Sequence, residues 1–144
     1  MFSKTCEHAI KAAIFVARQS LEGKRSNLKE ISSGIDSPEA YTAKILQVLV
    51  KNEYLLSIKG AGGGFETDLN KIKQLPLMRI VEAFDGDFIA KRCILGLKTC
   101  SGQNPCPIHA KYAPVREQVV SVLESTSILD LALGFFSGKT SLKK

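Results

Sequence analysis

Residues 27–67 read NLKEISSGIDSPEAYTAKILQVLVKNEYLLSIKGAGGGFET, and this stretch decides the fold. Asn27 can cap a short helix from Leu28 to about Ser33. Gly34-Ile35-Asp36 makes a tight turn. Ser37-Pro38-Glu39 then reads as a helix start, with a serine cap, proline at the first helical position and an acid in the first turn. That helix runs to about Asn52. Ile45, Leu46, Leu49 and Val50 form its apolar face, and Tyr41, Thr42, Lys44, Gln47 and Lys51 remain for another surface. A short helix, a glycine-bearing turn and a second helix with a partly basic face have the grammar of a helix-turn-helix. Tyr54 to Thr67 adds two short strand-like runs around a glycine-rich tip, which after a helix-turn-helix is a wing. One lysine and several glycines at the tip let a cation and backbone amides approach a phosphate or a minor groove. Gly60-Ala61-Gly62-Gly63-Gly64 lacks the Gly-Lys-Ser/Thr ending of a nucleotide-binding loop and opens no helix.

Working outward, Ser3 to about Ser20 reads as an amphipathic helix on Ala9, Ala13, Val16 and Ala17, closed by a polar break with Gly23 at its end. Asp68 to Leu75 is a linking helical turn. Pro76 opens a helix to Phe84, and Gly86 ends it. A late helix is expected from about Pro114, carrying Val115, Val119, Val122 and Leu123. A second apolar set, Ile128, Leu129, Leu131 and Leu133, follows it. This late region either forms a dimer interface or packs on its own domain. The fold expected is mainly α with a small β-hairpin wing: a winged helix-turn-helix DNA-binding region over 1–75, a cysteine-loop and dimerisation region with a long C-terminal helix over 76–136, and a flexible tail over 137–144.

Between the two parts lies a run of soft donors: Cys93, Cys100, Cys106 and His109. Gly96, Gly102, Pro105 and Pro107 keep it irregular. Thiolates suit zinc or iron–sulfur clusters. Structural zinc sites favour close pairs such as Cys-x2-Cys. The wider spacing here suits a larger object, and thiol redox chemistry remains a third option. Cys6, Glu7 and His8 place three more potential donors on the first helix, although Cys6 also reads as a small buried residue.

The net charge of +6 permits an anionic partner. It is not polarised: residues 1–75 hold eleven Lys and Arg against eight Asp and Glu, and residues 76–144 nine against six. A DNA reading must therefore rest on where the charges stand. The apolar run Ala12 to Ala17 is too short for a signal core or a membrane span. Reduced thiols in the cytoplasm are expected, with no membrane association. With no Cys-x-x-Cys, two histidines and no nucleophile–base set, an enzyme is not expected.

Ser37-Pro38-Glu39 leading into Ala43-Lys44-Ile45-Leu46-Gln47-Val48-Leu49-Val50-Lys51 resembles the recognition helix of the Rrf-two family of winged-helix transcriptional regulators. Ile58-Lys59-Gly60-Ala61-Gly62-Gly63-Gly64-Phe65 resembles its wing, and the three-cysteine loop is placed as in its iron–sulfur members, the IscR-like and NsrR-like regulators. The resemblance implies a homodimer on a pseudo-palindromic operator in double-stranded DNA. It also implies an iron–sulfur cluster, [2Fe-2S] or [4Fe-4S], on Cys93, Cys100 and Cys106 whose state tunes DNA affinity. The fourth ligand it implies is His109 or, alternatively, Glu7 of the partner subunit. Ser37, Tyr41, Thr42, Lys44, Lys59 and Gly60 are the expected DNA contacts. Lys59 and Ala61 stand where the commonest family wing has Arg and Pro, which keeps the charge and loses the planar fork. The alternatives are a cluster-free regulator of the same fold that responds to thiols or a ligand, and a small iron–sulfur electron-transfer protein.

Overall fold

The computed structural model describes residues 1–136 and 141–142. Most of the expected tail, 137–144, therefore lies outside the described residues.

Helix α1 (Lys4–Leu21) starts where Ser3 Oγ accepts the Cys6 amide. Its buried face is built of small residues, Ala9, Ala12, Ala13 and Ala17 with Val16, so neighbouring elements pack close to its axis. Helix α2 (Leu28–Gly34) carries a complete capping box: the Asn27 side chain accepts the Glu30 amide at 2.8 Å, and Glu30 accepts the Asn27 amide at 2.9 Å. A turn with Asp36 at φ +53 leads into α3 (Glu39–Lys51).

The expected serine cap of α3 does not form. Pro38 is the cap residue, and the Ser37 Oγ is buried with no partner. Pro38 supplies an acceptor instead: its carbonyl takes the Thr42 amide and the Thr42 hydroxyl, both at 2.9 Å.

Strands β1 (Leu56–Ile58) and β2 (Gly64–Glu66) form the wing hairpin, with Ser57 opposite Phe65. Ser26 pairs with the other edge of β2: its amide donates to the Phe65 carbonyl at 3.0 Å, and the Phe65 amide donates back at 2.8 Å. The wing is thus anchored to the segment just before α2.

Asp68 caps α4 (Leu69–Lys73), and α5 (Leu77–Asp85) ends at Gly86, whose φ of +65 suits glycine. A short helix α6 (Phe88–Lys91), absent from the sequence reading, leads into Cys93. Helix α7 (His109–Ser125) begins at His109, with Pro114 inside it. The expected start at Pro114 followed the preference of proline for the first turn. The loop overrides that preference by supplying acceptors further back: the Cys106 carbonyl takes the His109 amide at 3.0 Å, and the Ile108 carbonyl takes the Tyr112 amide at 2.9 Å.

After α7 the chain is clipped back onto the body. The Leu77 amide donates to the Thr126 carbonyl, and the Ile128 amide donates to the Leu75 carbonyl. Helix α8 (Ile128–Phe136) then packs against α1 and α4, with Ile128 and Ala132 in the same buried cluster as Val16, Leu46 and Leu49. The second late apolar set thus closes the core of the winged region. A smaller cluster of Cys6, Met78, Val81, Ile89 and Leu123 joins α1, α5, α6 and α7.

Candidate DNA-binding face and cysteine loop

The outward face of α3 is Ala40, Lys44, Gln47 and Lys51, all exposed, with Glu39 at its start. Lys44 is where the sequence reading put it. Thr42 is not: it is 0% exposed and its hydroxyl is spent on the Pro38 carbonyl. The signal was in the spacing, because Thr42 stands three, four and seven residues before Ile45, Leu46 and Leu49 and so shares their face. Tyr41 is half-buried. Its hydroxyl donates to Thr5 Oγ1 at 2.9 Å and its ring meets His8 edge-on at 5.4 Å, so it braces α3 on α1. Ser37, with its Oγ buried, offers no hydroxyl to a ligand. Among the helix candidates, Lys44 alone presents its polar group outward, and Gln47 and Lys51 extend that surface.

In the wing, Lys59 and Gly60 are both exposed at the tip. Gly60 and Gly62 hold φ of +93 and +73, and a Cβ on Gly63 would run into the carbonyl oxygens of Ile58 and Gly60. A tip this tight is open only to glycine at those positions. Arg25 braces it from outside: Nε donates to Glu66 at 2.9 Å, and Nη1 donates to the Gly62 carbonyl at 3.2 Å. The sequence reading placed Arg25 in a polar break and gave it no role, since nothing local pairs it with residues forty positions away.

In the loop, Cys93 is buried and follows α6 directly. The Leu95 amide, aimed at its sulfur, lowers the Cys93 thiol below its ordinary pKa; the Leu97 amide, Cys106 and Arg116 add to this against a burial penalty. The four expected ligands meet as two pairs. Cys93 and Cys106 sulfurs stand 3.8 Å apart, and Cys100 Sγ stands 3.3 Å from His109 Nδ1. Among the described residues no three His, Cys, Asp or Glu side chains converge closely enough to hold a metal ion as they stand.

The first-helix donors lie otherwise. Cys6 is enclosed in the smaller core, and burial, with Asp85 and Glu7 adding, pushes its thiol up to about 12. Glu7 is ion-paired with Lys4 at 2.9 Å, which holds its carboxyl below the usual range. His8 Nδ1 is hydrogen-bonded to the Lys4 carbonyl at 2.7 Å.

Comparison with known proteins adds to this geometry. The Rrf2 family, described as "Iron-dependent Transcriptional regulator", matches residues 2–133. The HTH-type transcriptional regulator IscR of Xenorhabdus nematophila is 30% identical over 126 residues, covering 86% of this chain and 74% of that protein. Among solved structures, CymR, the global cysteine regulator of B. subtilis, superposes with a TM-score of 0.72 at 21% identity, covering 93% of this chain and 97% of that one. T. potens IscR does so with a TM-score of 0.72 at 18% identity, covering 98% and 92%. At these identities the two structures speak for the fold.

Proposed function

Because the chain belongs to the Rrf2 family of transcriptional regulators, we propose that it binds a pseudo-palindromic operator as a homodimer, with an affinity tuned by an iron–sulfur cluster on Cys93, Cys100, Cys106 and His109. The α3 face of Lys44, Gln47 and Lys51 enters the major groove, and Lys59 and Gly60 of the wing meet the backbone or the minor groove. The family is one of transcriptional regulators rather than enzymes.

The observation that carries the cluster reading is the pairing of the donors. Two sulfurs on one tetrahedral metal, with bonds of about 2.3 Å, stand about 3.8 Å apart, and a sulfur and an imidazole nitrogen about 3.5 Å apart. The pairs here stand at 3.8 and 3.3 Å. Two donor pairs fit a two-iron cluster better than a single zinc ion. His109 is taken as the fourth donor because its Nδ1 already stands 3.3 Å from Cys100 Sγ, with Glu7 of the partner subunit as the alternative.

A bound cluster supplies a charge to the loop that changes with oxidation, nitric oxide or iron–sulfur supply. The chain's own residues prepare the loop for it. The Leu95 and Leu97 amides and Arg116 favour a thiolate at Cys93. His109, in the first turn of α7, ties the loop to a helix that ends where the Thr126 carbonyl accepts from the Leu77 amide at the start of α5. Loop order would then reach α3 only indirectly, through α5 and α1, on which α7 and α3 respectively pack.

The test is visible absorption of protein purified without oxygen, together with footprinting on DNA upstream of its own gene. Cluster absorption is expected, lost in Cys100→Ala, with operator affinity differing several-fold between the loaded and empty forms. A colourless protein, or equal affinities, refutes the cluster reading. One observation favours a second reading, a cluster-free thiol-responsive regulator: the free Cys93 and Cys106 sulfurs stand 3.8 Å apart, neighbours that oxidation could join. Colourless protein whose two thiols are lost to alkylation after mild oxidation would support it.

A further inference from the structure

The leading end of α3 presents fewer polar groups than its sequence suggests. The Tyr41 hydroxyl donates to Thr5 Oγ1, the Thr42 hydroxyl donates to the Pro38 carbonyl, and the Ser37 Oγ is buried. Each of these hydroxyls is engaged or enclosed within the protein. The stripe opposite the buried Ile45, Leu46 and Leu49 is Ala40, Lys44, Gln47 and Lys51, recurring every three or four residues and exposed throughout. Ala40 follows the first helical residue directly, and Lys44 stands one turn further on. Lys44 is in no ion pair among the described residues. Glu39 lies off this stripe, about 100° round the helix from Ala40. Ala43 is half-buried beside it. With alanine at both positions, the leading turns carry little bulk to hold the helix axis away from a groove floor.

We propose that Ala40 and Lys44 set the base specificity of the half-site, Ala40 lying against the C5-methyl of a thymine and Lys44 donating to O6 and N7 of a nearby guanine. The inference rests on the DNA-binding reading above and deepens it. The leading residues of a recognition helix are the ones that reach base edges. Ala40 brings a methyl and no polar atom. Against most base edges it would strip water from a donor or acceptor and return no hydrogen bond, whereas thymine presents an apolar group in the major groove. Lys44 brings three donors and no acceptor. Guanine meets it with two adjacent acceptors, thymine with one, and adenine and cytosine with an amino group that repels it. Residues four apart are separated by about 6 Å along a helix, and base pairs by about 3.4 Å, so the thymine and the guanine stand about one or two base pairs apart. Gln47 and Lys51 follow toward the trailing end, where such a helix runs on to the phosphate backbone. These contacts belong to α3 whatever the cysteine loop holds.

The experiment is selection of duplexes from a random-sequence pool by the full-length protein purified without oxygen, followed by titration of the selected duplex carrying modified bases. The enriched half-site should hold a thymine and a guanine about one or two base pairs apart. Replacing that thymine by deoxyuridine removes only the C5-methyl and should weaken binding about 3- to 10-fold, while Ala40→Gly should be indifferent to the replacement. Replacing the guanine by 7-deazaguanine removes the N7 acceptor and should weaken binding about 10-fold, while Lys44→Met should be indifferent to it. Lys44→Gln should change the selected base from guanine to adenine, which a glutamine meets at N6 and N7. Four outcomes overturn the inference and leave DNA binding standing: duplexes bound with no sequence enriched, a selected half-site without that pair, modified bases that leave the parent unaffected or weaken the variants equally, and a Lys44→Gln protein that still selects guanine. Absence of any complex with any duplex at low salt overturns the operator reading itself, and the inference with it.

Discussion

Thr42 and Lys44 are two residues apart on one helix and face opposite ways. Thr42 is sealed in the core with its hydroxyl on the Pro38 carbonyl; Lys44 is exposed. Substituting each therefore separates stability from DNA binding. Thr42→Ala removes a buried methyl and a hydrogen bond and should cost about 1–2 kcal/mol in denaturant unfolding. Its operator affinity, measured well below the melting temperature, should barely move. Lys44→Ala should leave stability unchanged, weaken operator binding and lower the salt slope of log K by about one if it meets a phosphate. Cys6 adds a pH signature. Its folded thiol is raised from 9.0 to about 12. Below pH 9 the thiol is protonated in both states and its contribution is fully present. Above pH 9 the unfolded thiol ionises while the folded one does not, so stability falls by about 1.4 kcal/mol per pH unit until the folded pKa is reached. Melting curves between pH 8.5 and 10.5 should show that alkaline slope, and Cys6→Ala should flatten it by one proton. Equal slopes in the two proteins would mean that Cys6 is not enclosed as described.

At the scale of elements, the wing is built from bonds the sequence does not place side by side. Ser26 pairs with Phe65, and Arg25 ties Glu66 to Gly62. Arg25→Ala frees the tip without opening the core. It should weaken operator binding with a melting temperature lowered by no more than about 4 °C, since an exposed ion pair contributes at most about 1 kcal/mol. Gly63→Ala should weaken binding further, because its Cβ meets the Ile58 and Gly60 carbonyls. An unaltered affinity in both variants would remove the wing from the interface. The same contrast explains what could be read beforehand. Helical periodicity, the Asn27 cap and the glycine tip are local signals, and they located α1, α2, α3 and the hairpin. The Thr42 orientation was also local, and the apolar spacing carried it. The start of α7 was not, because carbonyls of the cysteine loop decide it against the proline rule. The pairing of Cys93 with Cys106 and of Cys100 with His109, and the brace from Arg25, depend on how the loops close in space. Chain spacing alone leaves those pairings open.

At the scale of the whole molecule, the two late apolar sets have different fates. Ile128 and Ala132 of α8 enter the main core. Helix α7 buries little beyond Leu123 and leaves Val122 61% exposed along seventeen residues of helix. A long helix with unpaired apolar side chains suits a symmetric contact with its counterpart in a second copy. Placing a charge on this exposed stripe tests this directly. Val122 points away from both hydrophobic clusters, so Val122→Asp should fold with the melting behaviour expected of a surface change. If α7 pairs with α7, the substitution buries an unpaired carboxylate from each copy in the contact. The dimer should then dissociate at least a hundredfold more readily, as read by sedimentation across a concentration series. Operator binding should fall with it, because each copy alone holds one half-site and loses the linked second contact. A single half-site duplex should be bound equally by both proteins. Parent protein sedimenting as a monomer, or a Val122→Asp protein that remains dimeric, would move the interface away from α7. It would also detach the cysteine loop from the route by which it is proposed to reach the two recognition helices.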